Sequence, residues 1–109
     1  MARSITRQAS DAARALGAQV AAARKQRRWS ASRLAEQAGI NERTLRKVER
    51  GDPTVALGTA FDVAVLVGVP LFSESSSELA VLADSLTDRA SLLGRRVVPI
   101  SDEGLDDDF

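Results

Sequence analysis

The chain has 109 residues, of which 44% are hydrophobic and 4% aromatic, and its 15 Lys+Arg balance 15 Asp+Glu. Because it contains neither cysteine nor histidine, its composition excludes a disulfide scaffold, a Cys or His metal site and a histidine general base. No segment reaches the roughly 20 apolar residues of a membrane span, and the start lacks a signal-peptide core, so we expect an intracellular, cytoplasmic protein.

The zero net charge conceals two halves of opposite sign. Residues 1–50 carry 12 basic and 4 acidic side chains, whereas residues 51–109 carry 3 basic and 11 acidic ones. The basic half is suited to binding a polyanion. The acidic half is suited to repelling that polyanion or to binding a basic protein partner.

The chain opens with a polar stretch, residues 1–9, that is predicted to be a flexible N-terminus. A first helix is predicted from about Ser10 to Arg27, with Asp11 in the first turn, where the helix dipole favours an acidic residue. Its core stripe consists of Ala13, Leu16, Val20 and Ala23. Trp29 follows a basic connector and is predicted to fill the core at the junction of the first two helices. The alternative, a platform on which bases stack, is disfavoured because one lone aromatic residue is weak support for stacking.

The segment around Gly39 combines two short helices with a tight turn. Ser30 is an N-cap signal for the second helix and Asn41 for the third, while Gly39 supplies the positive φ of a sharp corner. The third helix is predicted to direct Leu45 and Val48 inward and its long polar side chains outward. This pattern is typical of a DNA-binding helix-turn-helix. The alternative is an ordinary helical hairpin with a solvated basic face.

In a DNA-binding motif of this kind, the second of the two helices lies in the major groove, where each base pair presents a distinct set of donors and acceptors. Arg43 is the best candidate for a bidentate contact with guanine. Glu42 is a candidate either for accepting a hydrogen bond from cytosine or for stabilising the helix N-terminus. The other candidate contacts to bases or phosphates are Ser30, Ser32, Arg33, Asn41, Thr44, Arg46 and Lys47.

Two further helices are predicted from apolar residues at helical spacing. The fourth helix is predicted from Leu57, Ala60, Phe61, Ala64 and Val67 and ends at Gly68. Because it is apolar around most of its circumference, we expect burial on more than one side, against the fifth helix or a second subunit. The fifth helix is predicted over residues 78–93, with the stripe Leu79, Leu82, Leu86, Ala90 and Leu93. That stripe packs either on the domain or on its two-fold mate.

Residues 95–109 are predicted to form a C-terminal extension with an acidic tail. Residues 95–100 favour a short edge strand, in which Pro99 limits pairing. The tail is either a disordered solubilising segment, a competitor of DNA for the basic face, or a peptide that docks on a partner. The docking alternative would use Leu105, Asp106, Asp107, Asp108 and Phe109.

The helix-turn-helix spacing and the helix ending Val48-Glu49-Arg50-Gly51 resemble the phage-repressor (Cro/Xre) family over roughly residues 14–70. This resemblance implies an all-α, five-helix, phage-repressor-like domain over residues 10–94, followed by the short extension and acidic tail. It also implies an ion pair between Arg24 and Glu49, with a structural role. The family often carries glutamine just after the N-cap of the second helix, where this chain has Ala31.

The segment RTLRKVERGDPTVALGTAFDVAVLVGVPLF and the DDDF end are similar to the HipB-like antitoxins, which are small Xre repressors encoded beside HipA-like serine/threonine kinase toxins. This resemblance implies a bacterial, nucleoid-associated homodimer. We expect neither a cofactor nor a metal, because the residues show no site for one. Such a dimer binds palindromic operator DNA, represses its own operon and neutralises the kinase. The alternatives are a stand-alone Xre-family regulator without a toxin partner and a scaffold of the same fold. An enzyme is disfavoured, because no nucleophile–base arrangement stands out.

Overall fold

The computed structural model describes residues 4–72 and 75–96. These ranges contain five helices and no strand, which confirms the expected all-α fold. The helices are α1 (Arg7–Gln26), α2 (Ala31–Ala38), α3 (Glu42–Glu49), α4 (Leu57–Leu66) and α5 (Ser76–Arg96). The first four belong to one compact unit and α5 belongs to a second. No helix in the described ranges has both the length and the apolar character needed to cross a membrane.

The core of the first unit is apolar and draws on all four of its helices. Its buried residues, among those described, are Val20, Leu34, Ala35, Leu45, Val48, Val63, Ala64, Val67 and Val69. Leu34 of α2 and Leu45 of α3 are fully buried beside Val20 of α1 and Val63 of α4. The helix-turn-helix is therefore held on a scaffold formed by the flanking helices.

The first helix begins earlier than its sequence predicts. α1 starts at Arg7 and not near Ser10, because the Thr6 hydroxyl accepts a 3.1 Å hydrogen bond from the amide three residues ahead and caps the helix. The expectation that Asp11 lies in the first turn is therefore wrong. Its carboxylate instead forms an exposed ion pair with Arg14 at 3.2 Å.

Two glycines bring α1 close to the end of α3. A Cβ added to Gly17 would lie 2.6 Å from the carbonyl oxygen of Glu49 and nearer still to that of Val48. Gly51 has a φ of 77°, and a Cβ added there would lie 2.5 Å from the Cα of Arg14. Neither position has room for a side chain, so these glycines set how closely α1 packs against the third helix.

The inner face of α4 differs from the predicted stripe. Val63, Ala64 and Val67 are buried, whereas Leu57, which the spacing places on the inner stripe, is 68% exposed. Leu57 is the first residue of the helix, where the chain enters from the preceding turn. Val65 is also exposed, at 54%. Helical periodicity thus located the helix correctly but assigned its first inward-facing residue wrongly.

The described part of the second unit contains the helix α5, which extends beyond its predicted range at both ends. It starts at Ser76 because Ser75 and Glu78 form a capping box. The Ser75 hydroxyl accepts from the Glu78 amide at 3.3 Å, and the Glu78 carboxylate accepts from the Ser75 amide at 3.0 Å. α5 then continues through Gly94 to Arg96, so the edge strand predicted to begin at residue 95 is wrong for its first two residues.

The rest of the C-terminal extension lies outside the described residues. This applies to residues 97–100 of the predicted strand and to every residue proposed for partner binding, namely Leu105, Asp106, Asp107, Asp108 and Phe109. The predictions for these residues therefore stay predictions.

Candidate nucleic-acid interface

The helix-turn-helix is built by three local signals, all of which were predicted from the sequence. The Ser30 side chain caps α2 by accepting from the Arg33 amide at 3.0 Å. The Asn41 side chain caps α3 by accepting from the Thr44 amide at 2.7 Å. Between the two helices, Gly39 has a φ of 70°, in the left-handed region. These contacts fix where each short helix begins and how the turn between them runs.

The outer side of α3 carries three cations. Leu45 and Val48 face the core, and at about 100° per residue Arg43 points almost directly away from them. Arg46 and Lys47 flank that direction by about 40–60°. We call Arg43, Arg46 and Lys47 the cationic face. Arg43 and Arg46 are exposed and Lys47 is half-buried.

Glu42 occupies the first turn of α3 and pairs with Arg46 at 2.9 Å. The Arg46 side chain is largely exposed, at 63%, and the Glu42 side chain is partly exposed, at 42%. An exposed pair of this spacing contributes only about 0.3–0.5 kcal/mol, so Arg46 can exchange it for a phosphate. The position at the helix N-terminus and the ion pair both favour the stabilising alternative for Glu42 over a base contact.

Ser32 and Arg33 lie exposed in the first turn of α2, and Thr44 lies half-buried in the first turn of α3. The N-terminal turn of a helix presents backbone N–H groups and a partial positive charge, which attract phosphate. The Ser30 hydroxyl and the Asn41 side-chain oxygen already accept backbone hydrogen bonds. Asn41 keeps its side-chain NH₂ group as a donor.

Trp29 holds the start of α2 in place. It is half-buried and packs against the core, as predicted for a plug at the junction of the first two helices. The Arg33 guanidinium carbon lies 4.5 Å from the indole ring centroid, and that of Arg27 lies 5.6 Å away. Both distances are within the range of cation–π attraction. The indole therefore restrains Arg33 beside the N-terminus of α2.

Arg27 has a structural contact that sequence reasoning missed. Its Nε donates a 3.0 Å hydrogen bond to the carbonyl oxygen of Val67, at the C-terminal end of α4. A Cβ added to Gly68 would lie 2.6 Å from Arg27 Nη2, so glycine leaves space for the guanidinium. The contact satisfies a carbonyl that has no partner within the helix. Arg27 therefore links the connector after α1 to α4.

The orientation of α3 relative to α1 depends on the bidentate pair between Arg24 and Glu49, which confirms the ion pair implied by the family resemblance. Arg24 Nε lies 2.6 Å from Glu49 Oε2, and Nη2 lies 3.0 Å from Oε1. Arg24 Nη1 also donates to the carbonyl oxygen of Trp29 at 2.9 Å. The side chains are only 12% and 14% exposed. The hydrogen bond with Glu49 raises the pKa of Arg24, so the guanidinium stays charged.

The geometry of α2, the turn and α3 agrees with the comparison with known families. Residues 20–72 match the Helix-turn-helix family. This match supports an Xre-type helix-turn-helix domain over these residues. The match begins within α1 and continues past α4, so it includes the core, the Arg24–Glu49 pair and the cationic face. No curated protein and no solved structure matches the chain.

An Xre-type helix-turn-helix is a DNA-binding regulatory domain, and it indicates a sequence-specific, DNA-binding regulator of transcription. Within the described ranges, no group of acidic side chains is arranged to hold a metal ion. The groups that the site presents on the surface of its two short helices are cations and hydrogen-bonding side chains.

Proposed function

We propose that the chain binds double-stranded operator DNA by placing α3 in the major groove and thereby represses transcription. The observation that carries this proposal is the cationic face, which projects from the side of α3 opposite the buried Leu45 and Val48. The major groove admits a helix of this kind and displays a different donor and acceptor pattern for each base pair. A buried scaffold on one side and three cations on the other give α3 the form of a recognition helix.

Within this proposal the residues have different roles. Arg43 donates two hydrogen bonds to the O6 and N7 acceptors of a guanine. Arg46 and Lys47 contact phosphates, as does Arg33, which the Trp29 indole restrains at the start of α2. Ser30, Ser32, Asn41 and Thr44 add hydrogen bonds near the two helix N-termini, where backbone N–H groups also face the phosphates.

The proposal predicts different losses for two substitutions on the cationic face. Arg43→Ala is expected to weaken operator binding by about 1–3 kcal/mol and to relax the preference at one base pair. Lys47→Ala is expected to weaken binding to all sequences alike, because it loses only a phosphate contact. The slope of log affinity against log salt concentration is expected to fall by about 1. Both variants are measured by fluorescence anisotropy on matched and mismatched duplexes over a series of salt concentrations.

Arg43→Lys is the matched control, because it keeps the positive charge and removes the planar fork that contacts guanine bidentately. It is expected to lose base preference while keeping the salt dependence of the unsubstituted chain. Equal, sequence-independent losses in Arg43→Ala and Lys47→Ala would contradict the base-reading role of Arg43.

We further propose that the regulator acts as a homodimer on a palindromic operator. Two copies related by a two-fold axis place their recognition helices in successive major grooves, about 34–36 Å apart. The dimer then binds two half-sites at once, so its affinity for DNA exceeds that of a single recognition helix bound to one half-site. The dimer also sets the spacing of the half-sites.

The narrower hypothesis is that the chain is a HipB-like antitoxin that represses its own operon and neutralises a HipA-like kinase. It rests on the likeness of the segment from α3 to residue 72 and of the acidic end to those antitoxins. The alternative is a stand-alone Xre-family regulator without a toxin partner. The two hypotheses share the DNA-binding surface and differ in the protein partner.

The antitoxin hypothesis is tested by affinity purification of the full chain and of residues 1–100 from native lysate. Co-purification of a HipA-like kinase whose activity falls when the chain is bound would support it. Loss of that kinase on truncation would assign contacts to the tail, including Leu105 and Phe109. If neither form retains a kinase, the stand-alone regulator is favoured.

A further inference from the structure

The four helices of the first unit end in the same hydrogen-bonded turn, in which one residue has a positive φ. The amide of that residue donates to the carbonyl oxygen three residues earlier, and the following amide donates to the carbonyl oxygen five residues before it. This pair of bonds defines the Schellman motif. The residue with positive φ is glycine after α2, α3 and α4 and arginine after α1; these are Gly39 at 70°, Gly51 at 77°, Gly68 at 80° and Arg28 at 59°.

Arginine is strained in this turn, whereas glycine is not. In a residue with a positive φ the Cβ approaches the following carbonyl oxygen, and glycine avoids this contact because it has no Cβ. The turn after α2 shows that φ alone can favour glycine, because a Cβ added to Gly39 would have no neighbour within 4 Å. The chain therefore loses stability at Arg28, and backbone strain of this kind is concentrated at functional sites.

The backbone on both sides of Arg28 is held by hydrogen bonds. The Trp29 amide donates to the carbonyl oxygen of Arg24 at 3.2 Å, and the Trp29 carbonyl oxygen accepts from Arg24 Nη1 at 2.9 Å. On the other side, Arg27 Nε donates to the carbonyl oxygen of Val67 at 3.0 Å. These contacts fix the turn, so the base of the Arg28 side chain has a defined position in the free protein.

The side chain of Arg28 has no structural partner among the residues that the structure describes. It is exposed and forms no hydrogen bond or ion pair with them, in contrast to its neighbours Arg24 and Arg27. The negative end of the helix dipole attracts any cation, but α1 already carries two basic residues in its last turn. The contacts of the free protein therefore do not account for an arginine in this turn.

Arg28 lies close to the phosphate contacts of the proposed interface. It precedes Ser30, the N-cap of α2, by two residues, which span at most about 7 Å. Arg33, one turn further along, has its guanidinium carbon 4.5 Å from the centroid of the Trp29 ring. A phosphate bound at the start of α2 is therefore within reach of an extended arginine side chain two residues earlier. A guanidinium binds phosphate through charge-assisted hydrogen bonds.

We propose that Arg28 contacts a DNA phosphate beside the start of α2, so that affinity for DNA offsets the stability lost in the strained turn. This inference rests on the proposed function and adds to it a contact on the segment before α2. Glycine would make the turn after α1 more stable, whereas arginine places a cation next to the phosphate.

The test compares stability with DNA affinity in three full-length variants. Arg28→Gly removes both the strain and the charge, Arg28→Gln removes the charge alone, and Arg28→Lys keeps both. Thermal unfolding gives the melting temperature. Fluorescence anisotropy over a series of salt concentrations gives the affinity for duplexes selected from a random pool and for scrambled versions of them.

Arg28→Gly is expected to melt about 4 °C higher and to bind DNA about 5-fold more weakly per chain at physiological salt. Arg28→Gln is expected to bind equally weakly without the gain in melting temperature. In both variants the slope of log affinity against log salt concentration is expected to fall by about 1 per chain. The loss is the same for both kinds of duplex, because a phosphate contact carries no sequence information. Arg28→Lys is expected to keep the slope and the melting temperature of the unsubstituted chain.

Arg14→Gln is the matched control for the loss of one positive charge. Arg14 is exposed and lies about three turns before the end of α1, so its substitution is expected to leave the slope unchanged. Equal losses of slope in Arg14→Gln and Arg28→Gln would overturn the contact, and so would full affinity in Arg28→Gly. A lower melting temperature in Arg28→Gly would overturn the strain.

Lys47→Ala separates failure of this inference from failure of the proposed function. If Lys47→Ala weakens binding and Arg28→Gln does not, the proposed interface stands and this inference fails. If the unsubstituted chain binds neither kind of duplex, both fail.

Discussion

Replacing Glu49 by alanine is expected to destabilise the helix-turn-helix domain by about 3–5 kcal/mol, because it leaves the charge of Arg24 unpaired in a largely buried position. The Arg24 side chain is only 12% exposed. It would lose the acceptors of both its Nε and its Nη2 hydrogen bonds, at 2.6 and 3.0 Å. The same change would release the end of α3 from α1. Urea unfolding followed by far-UV circular dichroism measures the loss in the free energy of unfolding.

Asp11→Ala is the matched control, because it breaks an ion pair that is 53–67% exposed. An exposed pair of this kind contributes at most about 1 kcal/mol. The double variant Arg24→Met/Glu49→Leu is expected to recover much of the stability lost in Glu49→Ala, since it removes both charges and keeps the volume. Equal effects of Glu49→Ala and Asp11→Ala would contradict the buried character of the Arg24–Glu49 pair.

Gly17→Ala is expected to destabilise the same domain by about 1–3 kcal/mol through overpacking. Glycine in the interior of a helix normally costs about 0.5–1 kcal/mol relative to alanine, so an unobstructed substitution would be stabilising. At Gly17 the added Cβ would meet the carbonyl oxygens of Val48 and Glu49, which belong to the backbone and cannot rotate away. The substitution therefore forces α1 away from α3. Thermal and urea unfolding give the size of the loss.

Gly58→Ala, in the same compact unit, is expected to have no destabilising effect. Gly58 lies in α4, and a Cβ added there would have no neighbour within 4 Å. Its substitution is expected to leave stability unchanged or to raise it by up to about 1 kcal/mol. A rise in stability for both variants would show that α1 and α3 have more room between them than the structure gives.

Most of the fold that was predictable from the sequence depends on local signals. Ser30 and Asn41 act on amides three residues ahead, and Gly39 acts through its own φ. Such signals can be recognised in a sequence because the capping side chain and the amide that it binds lie within one helical turn of each other. The capping box of Ser75 and Glu78 at the start of α5 is equally local, because its two residues lie three positions apart. The pair between Arg24 and Glu49 spans 25 residues and was accessible only through the family resemblance.

The features that sequence reasoning missed depend on contacts between distant segments. Arg27 bonds to a carbonyl 40 residues away, and Gly17 is required by the backbone of another helix. No local pattern distinguishes these residues from an ordinary connector arginine or helical glycine. The exposure of Leu57 likewise follows from its place at the helix start, which helical periodicity does not encode.

The location of the candidate site could be predicted from the sequence, because residue type and helical spacing place Arg43, Arg46 and Lys47 on one side of α3. Their division between bases and phosphates depends on the DNA and remains a prediction. The ion pair between Glu42 and Arg46 shows why. Two exposed residues that satisfy each other in the free protein can each take a different partner when a phosphate or a base arrives.

The central claim, that this domain reads DNA sequence through α3, is tested most directly by the specificity ratio. Duplexes are selected from a random pool with the full chain, and affinity for a selected and a scrambled duplex is compared at physiological salt. We expect at least about 10³-fold tighter binding to the selected duplex, which should contain two half-sites. Equal affinity for both duplexes would contradict the claim and leave only non-specific attraction between the cationic face and phosphate.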